Sequence, residues 1–294
     1  MDATGNHLET RSKIMKILAT SDLHQMNNKW KLLISAVEKE KVDVVAIAGD
    51  IFPKDAGIQK QMSFIPHFRK YLERLAELNT KVVLNLGNDD NQLIIPLMYT
   101  LHNDGLCYYK PEDVAIVNDI EFASMPYVPD YPFGYKFWCR AESKNNLRID
   151  PKQYCEPLII DKTNKFVIIE NYQSYLYNQK SIEESLEETA SKVKNIQKSI
   201  WLIHAPPAHM NLDVCAHGAK VGSQAVYDFI MKYQPMITIH GHIHESPEYN
   251  GHKYFHKEGN TYCIQGGQVT ARLFYTIIDL DNGVSLKHSY YDSI

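Results

Sequence analysis

Apolar stretches at 14–20 (I-M-K-I-L-A-T), 42–48 (V-D-V-V-A-I-A), 82–86 (V-V-L-N-L), 200–203 (I-W-L-I) and 236–239 (M-I-T-I) are short and rich in β-branched residues, and each is followed by a polar turn. They read as buried strands. Between the first two, Lys29 to Glu40 places Trp30, Leu33, Ile34 and Val37 at the i, i+3, i+4, i+7 spacing of an amphipathic helix. A second helix is predicted over about Gln59 to Leu78, with an irregularity at Pro66. This β-α-β-α-β order implies a parallel half-sheet with right-handed crossovers.

Further along, two short strands between Val114 and Met125 flank Asn118-Asp119 at hairpin spacing. Phe166 to Ile169 reads as a strand and Ser181 to about Lys198 as a helix, opened by a capping box of Ser181 and Glu184. A helix from Ser223 to Tyr233 precedes the strand at 236–239. The tail carries alternating or apolar runs around 253–256, 261–265, 271–279 and 284–291, separated by E-G-N and D-N-G turns, and these predict antiparallel strands. Residues 1–12 form a polar arm, and 13–294 read as a single domain. One stretch breaks the pattern: about 126–165 is dense in proline and aromatics, then polar, and reads as a long excursion that either roofs a site or packs on a sheet edge.

The chain has 294 residues, 44% of them hydrophobic, enough for a sizeable core. With 31 basic and 35 acidic residues the net charge is −4, which disfavours nucleic acid and anionic membrane as partners. Five scattered cysteines without a C-x-x-C pair point to free thiols in a reducing compartment. With no apolar leader and no apolar run long enough to span a bilayer, a soluble cytoplasmic protein is expected.

The turns after these strands carry the candidate chemistry. Asp22 and His24 lie in S-D-L-H, Asp50 in A-G-D, Asn88 in G-N-D-D, His204 in I-H-A-P-P, and His242 and His244 in G-H-I-H. An open α/β sheet has its ligand crevice at the carboxyl ends of its strands. Aspartate and asparagine oxygens mixed with imidazole nitrogens suit manganese, iron, zinc, nickel or cobalt, and the absence of cysteine argues against a closed structural zinc site. If the two D-x-H and H-x-H segments are extended, residues i and i+2 point the same way and can converge. Taken singly, each aspartate could be a turn residue and each histidine a satisfied interior group. Together they can close two coordination spheres sharing one carboxylate, the arrangement of two-metal phosphate ester chemistry. His67, His102, His209, His217, His252 and His256 lack the strand-end context, and His240 should point away from His242.

These runs, in this order, resemble the calcineurin-like metallophosphoesterase superfamily, whose pattern is D-x-H, G-D, G-N-H-D/E, H and G-H-x-H; I-H-A-P-P and I-H-G-H-I-H-E-S are similar to Icc-related predicted phosphoesterases. The resemblance spans about Ile14 to Gly267. It implies an α/β fold of two packed mixed β-sheets flanked by α-helices, a four-layer sandwich. It also implies two divalent metal ions, one held by Asp22, His24, Asp50 and His244, the other by Asp50, Asn88, His204 and His242. A hydroxide held between such ions would attack phosphorus in line with the leaving group.

One position departs from that pattern. Asp89 stands where the superfamily has the histidine that stabilises the transition state or protonates the leaving oxygen. A carboxylate can act as an acid only if its pKa is strongly raised, and it repels an anionic substrate. This disfavours phosphomonoesters; since some Icc-like and related members without the histidine are associated with phosphodiester hydrolysis, the resemblance implies a small phosphodiester, such as a cyclic nucleotide or other nucleotide derivative. Asp89 is thus the candidate catalytic residue, with an extra ligand or a supporting role as alternatives. Trp138 and Arg140 are candidate substrate contacts, since in an extended segment both project to one side, with packing of the flap as the alternative role. The glycines of Gln265-Gly266-Gly267-Gln268 mark either a tight turn near the metals or a plain strand end. A catalytically weak binding or scaffold protein of the same fold is the alternative function. A nuclease is disfavoured by the acidic balance.

Overall fold

The computed structural model describes residues 15–24, 27–54 and 57–293; the polar arm expected at 1–12 lies outside the described residues. The chain begins with β1 (Lys16–Thr20), α1 (Asn27–Glu40), β2 (Val44–Ala48), α2 (Ile58–Glu77) and β3 (Lys81–Asn85), followed by α3 (Ile95–Asn103) and β4 (Tyr108–Tyr109). The hairpin β5 (Val114–Val117) and β6 (Ile120–Met125) comes next, then β7 (Leu158–Ile160), β8 (Phe166–Ile168), α4 (Tyr172–Asn178) and α5 (Ile182–Ala190). The last third contains β9 (Ile200–Ile203), α6 (Gln224–Tyr233), β10 (Ile237–His240), α7 (Ser246–Tyr249), β11 (Phe255–Glu258), β12 (Thr261–Gln265), β13 (Thr276–Asp279) and β14 (Ser285–His288).

Two six-stranded sheets result, ordered β14-β13-β1-β2-β3-β4 and β11-β12-β10-β9-β6-β5. In the first, β1 to β4 are parallel and β13 and β14 extend the edge antiparallel. In the second, β12, β10, β9 and β6 are parallel, with antiparallel hairpin partners at both edges.

The period-2 alternation of the strands decides how the sheets stack. Ile17 and Ala19, Val44 and Ala46, and Ile200 and Leu202 share one buried cluster between the sheets. Their neighbours Leu18, Val45 and Ile47 face outward into a second cluster with Trp30, Leu33 and Val37 of α1 and Phe64, Phe68, Leu72 and Leu75 of α2. On the other side Trp201 and Ile203 pack with Leu186 of α5 and Val226, Phe229 and Ile230 of α6. The layers are therefore helix, sheet, sheet, helix: the α/β sandwich of two packed mixed sheets expected above.

Several local expectations change. α5 keeps the Ser181–Glu184 capping box but ends at Ala190, and a separate 3-10 turn covers Ile196–Lys198. The tail is not uniformly antiparallel: β11 and β12 form the expected hairpin, but β12 pairs parallel with β10, and β13 crosses back to the first sheet to pair with β1. Open edges of both sheets, not the local turns, dictate those pairings. α2 continues through Pro66. The excursion ends in the β7–β8 hairpin and is ordered around the ion pair of Lys136 Nζ and Asp130 Oδ1 at 2.8 Å, both side chains 0% exposed. Among the described residues no helix is long and apolar enough to cross a membrane.

Candidate metal centre

The carboxyl ends of β1, β2, β3, β9 and β10 lie at one end of the sandwich, and each supplies donors to one cleft. One carboxylate or imidazole atom from each of Asp22, His24, Asp50 and His244 can be chosen so that all lie within 4.8 Å of one another, a group able to hold a metal ion. His24 Nε2 lies 3.1 Å from His244 Nε2, and His244 Nε2 is 3.2 Å from Asp22 Oδ1. The other three predicted ligands gather beside them. Asn88 Oδ1 is 3.0 Å from His204 Nε2 and 2.5 Å from His242 Nδ1, and His204 Nε2 is 3.4 Å from Asp50 Oδ2. Asp50 Oδ2 also lies 3.9 Å from His24 Nε2, so this carboxylate faces both groups.

Turns, not extended strands, produce this convergence. Asp22, His24, Asp50 and His242 have φ of 54°, 44°, 54° and 71°, the left-handed region that costs non-glycine residues about 1–3 kcal/mol and recurs at functional sites. The expected residues do meet, but not through the i, i+2 alternation of an extended chain. His242 and His244, two apart in sequence, serve different groups. Gly87 has no room for a side chain: a Cβ there would fall on Asp50 Oδ1 and on His204 Cε1 at 2.6 Å.

Neighbouring groups aim the donors. His204 Nδ1 meets the Ala48 carbonyl at 2.6 Å, which turns Nε2 into the cleft. Asp89 N donates to Asp50 Oδ1 at 2.8 Å, and Asn88 Nδ2 donates to Asp89 Oδ1 at 3.1 Å, leaving Asn88 Oδ1 toward the two imidazoles. Ser21 Oγ and His242 N donate to Asp22 at 2.5 and 3.1 Å. Gln268 N donates to the His244 carbonyl at 2.8 Å across a turn in which Gly267 has φ of 72°, so the expected glycine turn does adjoin the site.

Burial works against the charges here, and mutual pairing decides their state. It opposes ionisation of Asp22, yet His244, His204 and His24 hold its pKa below the usual carboxylate range. The same balance, led by His204, lowers that of Asp50. Burial also opposes charge on His204, but Asp50 and Asp22 push its pKa up to about 10. For His242, burial and the His204 charge act together and depress it to about 3. Two carboxylates therefore face several imidazoles, a donor set that fits borderline divalent ions.

Sequence reasoning passed over three neighbours. Asp90, fully buried, accepts from Gly87 N, Phe52 N and Ile51 N at 2.9, 2.8 and 3.2 Å, tying the loop after β2 to the loop after β3. Burial and Asp50 raise its pKa well above the usual range. Tyr131 packs its ring 5.9 Å from that of His242. Lys54 places Nζ 4.0 Å from Asp89 Oδ2. Backbone-directed carboxylates and loop lysines carry no spacing signal.

The candidate substrate contacts are placed differently. Trp138 is 3% exposed and its indole N–H donates to the Asp90 carbonyl at 2.5 Å; Arg140 is 8% exposed, with its guanidinium 4.3 Å over the Tyr127 ring. Trp138 thereby joins the excursion to the Asp90 loop, whereas Arg140 packs within the excursion on Tyr127 and the Cys139 carbonyl; both are turned inward and offer substrate no exposed stacking face. His240 is buried on the Ile203 and Ala205 carbonyls and Thr238 Oγ1, apart from the donor groups as expected.

The architecture and the cleft define a metal-binding α/β sandwich with its donors at the strand ends. Residues 15–246 match the family model of the calcineurin-like phosphoesterases, and the chain belongs to that family. Solved structures with the same fold include one at TM-score 0.61 and 14% identity, covering 95% of this chain and 99% of its own. The protein TT1561 of Thermus thermophilus aligns at TM-score 0.57 and 14% identity, over 95% and 99%. A novel archaeal phosphodiesterase aligns at TM-score 0.41 and 13% identity, over 93% and 98%. No curated protein matches the chain significantly.

Proposed function

We propose that the protein is a binuclear metal-dependent hydrolase of small phosphodiesters, such as cyclic nucleotides or other nucleotide derivatives. The observation that carries this is the meeting of seven donor side chains in two groups that share one of them, the Asp50 carboxylate, with Asp89 beside them in place of histidine. Asp22, His24, Asp50 and His244 would hold one ion; Asp50, Asn88, His204 and His242 the other. Two bound divalent ions supply Lewis acidity toward phosphoryl oxygens and make water nucleophilic near neutral pH. The chain's part is orientation: the Ala48 carbonyl fixes the His204 ring, and Asp89 N and Asn88 Nδ2 fix the faces that Asp50 and Asn88 present. Asp89 places a carboxylate instead of an imidazole beside the donor groups, and a carboxylate there disfavours dianionic monoesters relative to substrates with one phosphoryl charge.

Manganese is the proposed metal, on the carboxylate and imidazole donor set, and the cytoplasm the proposed compartment, on the five unpaired cysteines. The test is hydrolysis of bis-p-nitrophenyl phosphate and p-nitrophenyl phosphate by the Mn²⁺-loaded protein. Diesterase activity above monoesterase, lost in Asp50→Asn, is expected. Activity that survives Asp50→Asn, or metal analysis finding no stoichiometric ion after loading, would falsify the reading.

A further inference from the structure

Lys54 lies in the loop after Asp50, its side chain 51% exposed, with Nζ 4.0 Å from Asp89 Oδ2. Asp89 in turn touches the donor groups, its N donating to Asp50 Oδ1 at 2.8 Å and its Oδ1 accepting from Asn88 Nδ2 at 3.1 Å, so the ammonium lies one side chain away from them. The spacing of the two loops is built. The buried Gln61 side chain donates to the Pro53 carbonyl at 3.1 Å and to the Asp89 carbonyl at 2.7 Å, and its Oε1 accepts from Asn91 N at 2.8 Å. Asp90 ties the same loops through Ile51 N and Phe52 N. The backbone on either side of the Lys54–Asp89 gap is thus braced, while the lysine tip remains in solvent and free to change partner.

We propose that Lys54 is a phosphate-binding residue that sets substrate class: its ammonium turns from Asp89 to a non-bridging phosphoryl oxygen, and the Asp89 charge it leaves behind then disfavours a second negative charge on the substrate. This rests on the phosphoesterase reading. A charge-assisted hydrogen bond of this kind supports an effect of about tenfold.

Two measurements on the Mn²⁺-loaded full chain test it: kcat and KM on the two nitrophenyl substrates, and binding of inorganic phosphate by calorimetry. Lys54→Met should raise the diester KM and the phosphate Kd about tenfold with metal content and Tm unchanged, and Lys54→Arg should retain most of the affinity. Asp89→Asn should raise monoester relative to diester kcat/KM, and in the Lys54→Met background it should recover part of the lost affinity. Phosphate affinity within about twofold of wild type in Lys54→Met overturns the inference whatever the activity. If the wild type hydrolyses neither substrate, the phosphoesterase reading fails, and the phosphate Kd still decides for or against Lys54.

Discussion

Two buried carboxylates put the metal cleft and the excursion side by side. Asp130, inside the excursion, accepts from Lys136 Nζ, Tyr172 OH, Gln153 Nε2 and Asp150 N at 2.8, 2.7, 2.9 and 2.9 Å. Asp50, in the cleft, accepts Asp89 N and otherwise faces imidazole nitrogens at 3.4 and 3.9 Å. Nearby, His24 Nδ1 is buried without a hydrogen-bond partner. Where every lone pair has a donor, the carboxylate holds structure together. Where carboxylates and imidazoles crowd one another in left-handed turns, the side chains form a group that could hold a metal ion.

The largest separation should appear in stability. Asp130→Ala leaves the Lys136 ammonium fully buried and uncompensated, a loss of about 3–5 kcal/mol. Denaturant unfolding should show it with or without Mn²⁺, and the Mn²⁺-induced rise in Tm should persist as long as the variant folds. A loss under about 1 kcal/mol would mean that the buried pair does not hold the excursion.

Asp50→Asn should do the reverse. At a hundredfold excess over Kd, a bound ion stabilises the folded state by about 2.7 kcal/mol. Thermal unfolding of wild type should show that increment and the variant should show little of it. An undiminished Mn²⁺ increment in Asp50→Asn would erase the distinction between the two carboxylates.

How much of this was legible beforehand follows the same division. The donors could be read because each stands a few residues beyond an apolar strand, and a strand end is a position that local pattern reveals. That Asp22, His24, Asp50 and His242 reach the cleft through positive φ could not be read, since nothing in D-x-H or G-D distinguishes a left-handed turn from an extended one. Asp90 was hidden because its partners are backbone amides of another loop. The excursion was recognisable as a break in periodicity and no further, for its order depends on Lys136 meeting Asp130 and on Arg148 reaching Glu142 and the Val221 carbonyl. Helical and strand periods say nothing about such pairings. In the tail the hairpin turn at E-G-N was visible, whereas the parallel seat of β12 beside β10 was set by an edge that only the folded sheet presents.

The smallest effect lies where the two regions touch. Trp138 comes from the excursion, yet its indole N–H donates to the carbonyl of Asp90, whose side chain binds the loop that follows Asp50. Trp138→Phe keeps most of the buried ring and deletes that bond, so stability should fall by about 1 kcal/mol. If the excursion merely covers the sheet edge, kcat/KM on the diester should stay at the wild-type value. If it braces the site loops, kcat/KM should fall a few-fold while metal content stays at wild type, because the Asp90 loop also carries Asn88 and Asp89. The activity of this one variant therefore decides whether excursion and cleft are separate devices or one.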